Sequence, residues 1–221
     1  MSAEPTSNRK SSAWVLKKRK RAKNEILKAA NSIMRKSGVE SVTLASVADE
    51  LGMTKQALYH YFSSKESLMG ALIASLLEEE VTALLTAVEH ADSDQAILDV
   101  LIRAFYDHYS GNLDAFRTVY CQSQVYGAHA LGLGEQIVRD EINPRTHRLF
   151  DCLEARMSND RAKGPERKHL RQLAFVAWTS ALGLLTMLSV ADAADDPLIH
   201  SDADLLDTLV RVFGEAQAGP A

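Results

Sequence analysis

Cysteine is nearly missing from this 221-residue chain: the only two, Cys121 and Cys152, are too few for a disulfide framework and point to a reducing, cytoplasmic setting. Missing as well are a glycine-rich phosphate loop, a G-x-S-x-G elbow and an H-E-x-x-H pair, so the sequence gives no ground for an enzyme or for a cofactor. The seven histidines are scattered. His108 or His129 could join Cys121 at a metal, but no ligand spacing supports it, and surface or core histidines with buried spare thiols are the reading adopted. A redox sensor or half of a metal site is the alternative for the thiols. The first dozen residues lack the apolar h-region of a signal peptide, and no Gly/Pro-rich linker divides the chain further on.

What is present is a core and an uneven distribution of charge. With 46% apolar residues the chain can bury one large domain or two small ones. A net charge of −4 argues, taken whole, against a nucleic-acid partner. Its placement argues the reverse: residues 1–65 hold thirteen Lys and Arg against five Asp and Glu, and the rest of the chain holds twelve against twenty-four. A basic head on an acidic body attracts phosphate at one end only.

The most informative stretch is VTLASVADELGMTKQALYHYFSSKESL, residues 42–68. Thr43 caps an apolar series at Leu44, Val47, Ala48 and Leu51, whose spacing puts one stripe on a short helix. Gly52 stops it, taking the positive φ that a sharp turn needs, and Met53 plugs the angle. Thr54, itself a candidate DNA contact, caps a second helix, Lys55 to Tyr61, which buries Leu58 and Tyr61. Ser63 with Glu66 reads as a capping box on a third, whose free N–H groups and Lys65 make a phosphate site. This is a helix-turn-helix. A major groove admits one α-helix, and Lys55 and Gln56 in the first turn are long donors that reach base edges, while Tyr59, His60 and Tyr61 reach the phosphate walls. A helical hairpin in some other all-α domain is the plainer alternative, but two adjacent aromatics after so short a helix suit a bundle poorly.

The run T-L-x-x-V-A-x-x-L-G-M-T-x-x-x-L-Y-x-Y-F-x-x-K-x-x-L, from Thr43 to Leu68, resembles the DNA-binding segment of the TetR family of transcriptional repressors. With the helix ahead of it, the resemblance covers about the first third of the chain, and nothing beyond Leu72 carries over residue by residue. It implies an all-helical homodimer that reads DNA through Lys55 to Tyr61 and touches phosphates through Thr43, Tyr59, His60, Tyr61 and Lys65, with a ligand-responsive C-terminal domain.

In chain order, residues 1–20 are expected to form a disordered basic arm ending in KKRKRAK, which lies along phosphates or enters a minor groove if it is more than a solvated face. A first helix, Arg21 to Ser37, buries Ile26, Leu27, Ala30, Ile33 and Met34 and leaves Arg21 near the duplex. The expected domains are thus a helix-turn-helix unit over 21–67 and a ligand-binding and dimerisation domain over 68–217, linked by a helix that starts at Ser64, carries the acidic triplet Glu78-Glu79-Glu80 and ends near Glu89. Helices from Gln95 to Tyr109 and Leu113 to Tyr126 concentrate aromatics and polar groups. Phe105, Tyr109, Phe116, Tyr120 and Gln124, with Trp178, are therefore candidates for a small-molecule pocket, although the same stripe describes a plain core. A Gly/Ala/Leu loop at 127–134 could form the pocket mouth, and a segment from Glu135 to Met157 should break or kink at Asn143-Pro144.

Gln172 to Ala191 is uncharged over twenty residues, long enough for a membrane span. Its Gln, Ser and Thr residues, the aspartates that follow and the lack of an aromatic belt favour a helix buried between its own core and a partner. With a last helix, Ala203 to Glu215, it is expected to build a four-helix dimer interface through Trp178, Ala181, Leu185, Leu205, Leu209 and Phe213. The sequence thus describes an all-α homodimer that holds two heads on a palindromic DNA operator and responds to a small apolar or aromatic effector, with no membrane partner. Its rival is a ligand-independent DNA-binding protein whose body holds another protein.

Overall fold

The computed structural model describes residues 7–92, 96–121, 138–158, 164–195 and 197–218. Among the described residues the chain is helical, without a strand, and it divides into two compact units, Met1–Leu72 and Ile73–Ala221. The first unit closes inside a helix, a few residues beyond the boundary expected at 67.

In the first unit, α1 spans Ser7–Ser37. The arm expected to be disordered up to residue 20 is therefore helical from Ser7 onward. No glycine or proline interrupts this stretch, and Lys, Arg and Ala are strong helix formers, so local propensity carries the helix through the run of like charge. Ile26, Ala30 and Met34 are buried on one face, while Leu27 is only partly so. Gly38 ends α1 with φ of +79°, its N–H donating to the Met34 carbonyl at 2.9 Å. After a 3-10 turn, Val39–Ser41, Thr43 caps α2, Leu44–Glu50. The Ser46 N–H donates to Thr43 Oγ1 and the Thr43 N–H to Ser46 Oγ, both at 3.0 Å, a reciprocal cap of which the residue pattern shows only one side.

Gly52 turns the chain at φ of +61°, and the Met53 N–H closes on the Ala48 carbonyl at 2.8 Å. Thr54 caps α3, Lys55–Tyr59, accepting the Ala57 N–H at 3.1 Å. This helix is shorter than expected, because the N–H groups of Tyr61 and Phe62 both fold back onto the Leu58 carbonyl, at 2.9 and 3.0 Å. Then α4, Lys65–His90, begins with Ser64 as its cap instead of Ser63: Ser64 Oγ accepts the Ser67 N–H at 3.2 Å. A backbone N–H and the Ser64 hydroxyl hold the Glu66 carboxyl below the usual range. Val42, Val47, Leu58, Phe62 and Leu68 are all but fully buried, each contributing roughly 1.5–3 kcal/mol by leaving water.

The second unit opens with the rest of α4, whose inner face carries Ile73, Leu76, Leu84 and Val88. α5, Ile97–Ser110, buries Leu98, Leu101, Ile102, Phe105 and Tyr109. After Gly111-Asn112, α6 runs only through Leu113–Phe116 and widens into π-type winding over Arg117–Cys121. The helix expected out to Tyr126 thus changes character early, and Gln124, Tyr126 and the 127–134 loop lie outside the described residues. A second π-type stretch, Val138–Ile142, gives way to α7, Asn143–Met157, with Pro144 in its first turn, where a missing N–H costs nothing. α8, Gly164–Ala194, packs on α5 and α7, and α9, Asp202–Ala218, packs on α5 and α8.

Arg117 ties the widened turn to the end of α8. Its guanidinium donates to the Ser189 hydroxyl at 3.1 Å, the Ser189 carbonyl at 2.8 Å, Asp192 at 2.6 Å and Asp114 at 2.9 Å. The segment Glu166–Ala194 is long and apolar enough to cross a membrane by length and composition, and only 33% of its most apolar window is buried inside the chain. Its outer face shows Phe175, Val176, Met187 and Val190, each at least half exposed.

Replacing Gly52 by Ala should destabilise the turn by about 1–2 kcal/mol, since a side chain there must hold a left-handed conformation. Amide hydrogen exchange should then speed roughly five- to thirtyfold across α2 and α3; unchanged exchange would show that the turn tolerates a Cβ.

Candidate nucleic-acid interface and buried carboxyl cavity

The caps around the turn fix which side chains α3 presents. Leu58 faces inward, fully buried, so Thr54, Lys55, Gln56, Tyr59 and His60 lie exposed on the other side. Lys55 and Gln56 occupy the first turn, where a helix lying in a groove offers its longest reach. Tyr61, Thr43 and Lys65 are half-buried at the flanks, with Lys65 3.9 Å from Glu40. Arg21 is exposed on α1, and Arg19, two residues earlier, donates to the His60 carbonyl at 3.5 Å. All nine residues named as DNA contacts thus belong to the first unit with solvent-facing or half-buried side chains.

In the second unit the predicted pocket residues separate into two groups. Phe105, Tyr109 and Phe116 are fully buried and stack edge to face, with Tyr109 5.4 Å from each of the others between ring centres. They are core. Tyr120 and Trp178 instead line a cavity of about 250 Å3, together with Ile73, Leu77, Val119, Ile142, Leu149, Phe150 and Glu80. Trp178 reaches Tyr120 at 6.2 Å and Phe150 at 6.3 Å. A larger cavity, about 390 Å3, lies beside Asp192, His200 and Asp202. Its charged rim makes it the weaker small-molecule site, since such ligands need mostly apolar walls with few polar groups.

Glu80 is the site residue that sequence reasoning missed. It is 2% exposed, and the hydroxyls of Tyr109 and Tyr120 both donate to its Oε2, at 2.6 and 2.7 Å. Burial pushes its carboxyl up to about 7, against the pull of the two hydroxyls, and the same burial with the nearby carboxylate holds both phenols well above their ordinary range. The signal was spacing: Glu80 stands seven residues after Ile73 and four before Leu84, on the apolar stripe of α4, whereas Glu78 and Glu79 face solvent. Read as a triplet, the three acids hide that difference.

Three of the six expected interface residues also need correction. Ala181, Leu185 and Phe213 are buried inside their own chain, Trp178 and Leu205 are half-buried, and Leu209 is also only partly exposed. Period alone cannot tell the inner from the outer stripe of a helix apolar all round. The outward stripe on α8 is Val176, Gly183, Met187 and Val190, with Phe175 beside it, and on α9 it includes Val212. Burial raises the thiols of Cys121 and Cys152, so both are neutral near pH 7.

An all-helical chain with a capped helix-turn-helix at its N-terminus and a separate helical body is the class that this geometry defines. Residues 26–72 match the model of the bacterial regulatory proteins of the tetR family. The tetracycline repressor protein class A from transposon 1721 of Escherichia coli is 34% identical over 71 residues, 32% of this chain and 32% of that protein. The uncharacterized HTH-type transcriptional regulator YfiR of Bacillus subtilis (strain 168) is 33% identical over 86 residues, 38% of this chain and 42% of that one. The match thus spans less than half the length of either relative. A solved transcriptional regulator of the TetR/AcrR family from Thermobifida fusca YX-ER1 shares the fold over 87% of this chain and 96% of its own, with a TM-score of 0.63 at 18% identity. Through its N-terminal unit, the chain is similar to the tetR family of bacterial regulatory proteins, a likeness confined in sequence to residues 26–72 and extended over the rest of the chain only by the fold.

A carboxyl that keeps its proton up to about pH 7 when folded, but loses it near 4.5 when unfolded, makes the folded state bind more protons between those values. Stability of the second unit should therefore fall as pH rises from 4.5 to 7. Glu80→Gln keeps an acceptor for both tyrosines and removes the titration, so in urea unfolding it should gain on the wild type between pH 5 and pH 8, by an amount on the order of 3 kcal/mol. Parallel pH profiles would contradict the assignment.

Proposed function

We propose that the protein is a DNA-binding transcriptional regulator, a cytoplasmic homodimeric repressor that holds a palindromic operator and releases it when a small apolar or aromatic molecule occupies the cavity of the second unit. The observation that carries this reading is the exposure of Lys55 and Gln56 on the first turn of a helix whose opposite face is locked by Leu58. One such helix touches too few bases to specify a site, so two copies at a fixed spacing would read two half-sites. Support for two copies comes from the outward apolar stripe of α8, which a second chain would cover.

Support for an effector comes from the 250 Å3 cavity with aromatic walls and one buried acid. A ligand that binds better when the heads are misplaced would shift the population away from the DNA-bound form. The rival, a ligand-independent protein whose body grips another protein, accords better with a filled core than with this cavity.

Selection of bound sequences from a random duplex pool should yield an inverted repeat. On that duplex, Lys55→Ala and Gln56→Ala should each cost about 1–3 kcal/mol and relax preference at one position per half-site. Removing residues 1–18 should weaken all duplexes alike and flatten the slope of log affinity against log salt, by about one for each phosphate that the shortened chain no longer neutralises; an unchanged slope would remove the N-terminal helix from the interface. Met187→Glu should turn a dimer into a monomer in sedimentation and abolish operator binding at the same protein concentration, whereas a chain that stays dimeric would place the interface elsewhere.

A further inference from the structure

The cavity of the second unit contains an unusual acceptor. Glu80 lines it at 2% exposure, and both tyrosine hydroxyls converge on Oε2. Among the described residues no hydrogen bond reaches Oε1. A carboxylate offers about four lone-pair sites, so one oxygen bound twice leaves half of its capacity unused. Burying such a group is costly unless it is paired. Tyr120, Trp178 and Phe150 line the same space, and aromatic rings attract cations, as Phe150 does the Arg171 guanidinium at 5.8 Å from its ring centre.

Arg145 is the other charged group on the wall, and its guanidinium already pairs with Glu78. An anionic ligand would have to compete with Glu78 for that cation and stand opposite a buried acid. A cationic ligand meets neither obstacle. In size the cavity exceeds the roughly 150 Å3 space known to admit benzene and falls below the roughly 300 Å3 at which drug-sized sites begin.

We propose that this cavity takes a small one- or two-ring molecule carrying a protonated amine, whose ammonium N–H donates to Glu80 Oε1 while its rings lie among Tyr120, Trp178 and Phe150. The proposal rests on the reading of the second unit as an effector domain and names the chemistry of the effector. Tyr109 and Tyr120 act as positioning residues: by occupying Oε2 they fix the carboxyl and leave its other oxygen to the ligand. The other titratable groups nearby are Glu78, Glu79 and Arg145, together with His108, which packs edge-on against Tyr109 at 4.6 Å between ring centres and whose basicity burial lowers.

The test is calorimetric binding to the full chain of three probes that share one ring system: 1-naphthylmethylamine, 1-naphthalenemethanol and 1-naphthoate. At pH 8 the amine should bind at least about tenfold more tightly than the alcohol, and the carboxylate most weakly, as a charge-assisted bond predicts. Glu80→Gln should reduce the amine's advantage to about twofold or less. A second measurement needs no variant: near pH 7, titrations in buffers of different ionisation heat should show protons released on binding the amine and none on binding the alcohol. Absence of amine binding, equal or better binding of the carboxylate, an advantage that survives in Glu80→Gln, or amine binding without proton release would each overturn the proposal. Operator affinity is read separately. Amine bound through Glu80 with no loss of operator affinity supports the amine site and defeats the release mechanism, whereas operator release by the carboxylate alone does the reverse.

Discussion

The interaction on which the second unit turns is the pair of hydrogen bonds that Tyr109 and Tyr120 donate to one oxygen of Glu80, on a helix face otherwise made of Ile73, Leu76, Leu84 and Val88. A lone carboxyl among aliphatic side chains would cost several kcal/mol, so the fold must either supply donors or leave the acid protonated. It does both. Meeting that need places Tyr109 on the inner face of α5 and brings Tyr120 in from the widened winding after α6, and Arg117 anchors that winding to Ser189 and Asp192. The aromatic stack of Phe105, Tyr109, Phe116 and Tyr120 then packs behind the two donors, leaving the acid on the wall of the cavity.

The first unit follows a different rule, in which almost every decision is local. Gly38 and Gly52 hold backbone angles that other residues resist, and Thr43, Thr54 and Ser64 satisfy helix-end donors within three residues of themselves. With the ends fixed, the facing of α3 has no freedom: burying Leu58 turns Lys55 and Gln56 to solvent. An exposed donor pair on a short, rigid helix is costly in no way by itself, which is why this surface can be given over wholly to a partner.

This contrast explains what could be read from residues alone. The turn, its glycine, two of its caps and the outward side chains of α3 were legible because they depend on neighbours three or four positions away. The shift from Ser63 to Ser64 and the early end of α3 at Tyr59 are errors of one or two residues in the same local frame. In the second unit, by contrast, the pocket candidates were chosen for aromatic content. Phe105, Tyr109 and Phe116 proved to be core, and the polar group that matters stood in an acidic triplet on another helix.

Composition, spacing and capping residues sufficed for the helical class, the basic head and the short exposed helix α3, because each follows from 3.6-residue periodicity and backbone chemistry within a single turn. Only the tertiary structure decided that Glu80 is buried while Glu79 is exposed, that Ala181 and Leu185 face inward while Met187 and Val190 face outward, and that Tyr120 meets an acid forty residues away. Those outcomes depend on which face of an apolar helix another helix covers, and that choice is made by packing across long sequence separations, where no local pattern carries the information.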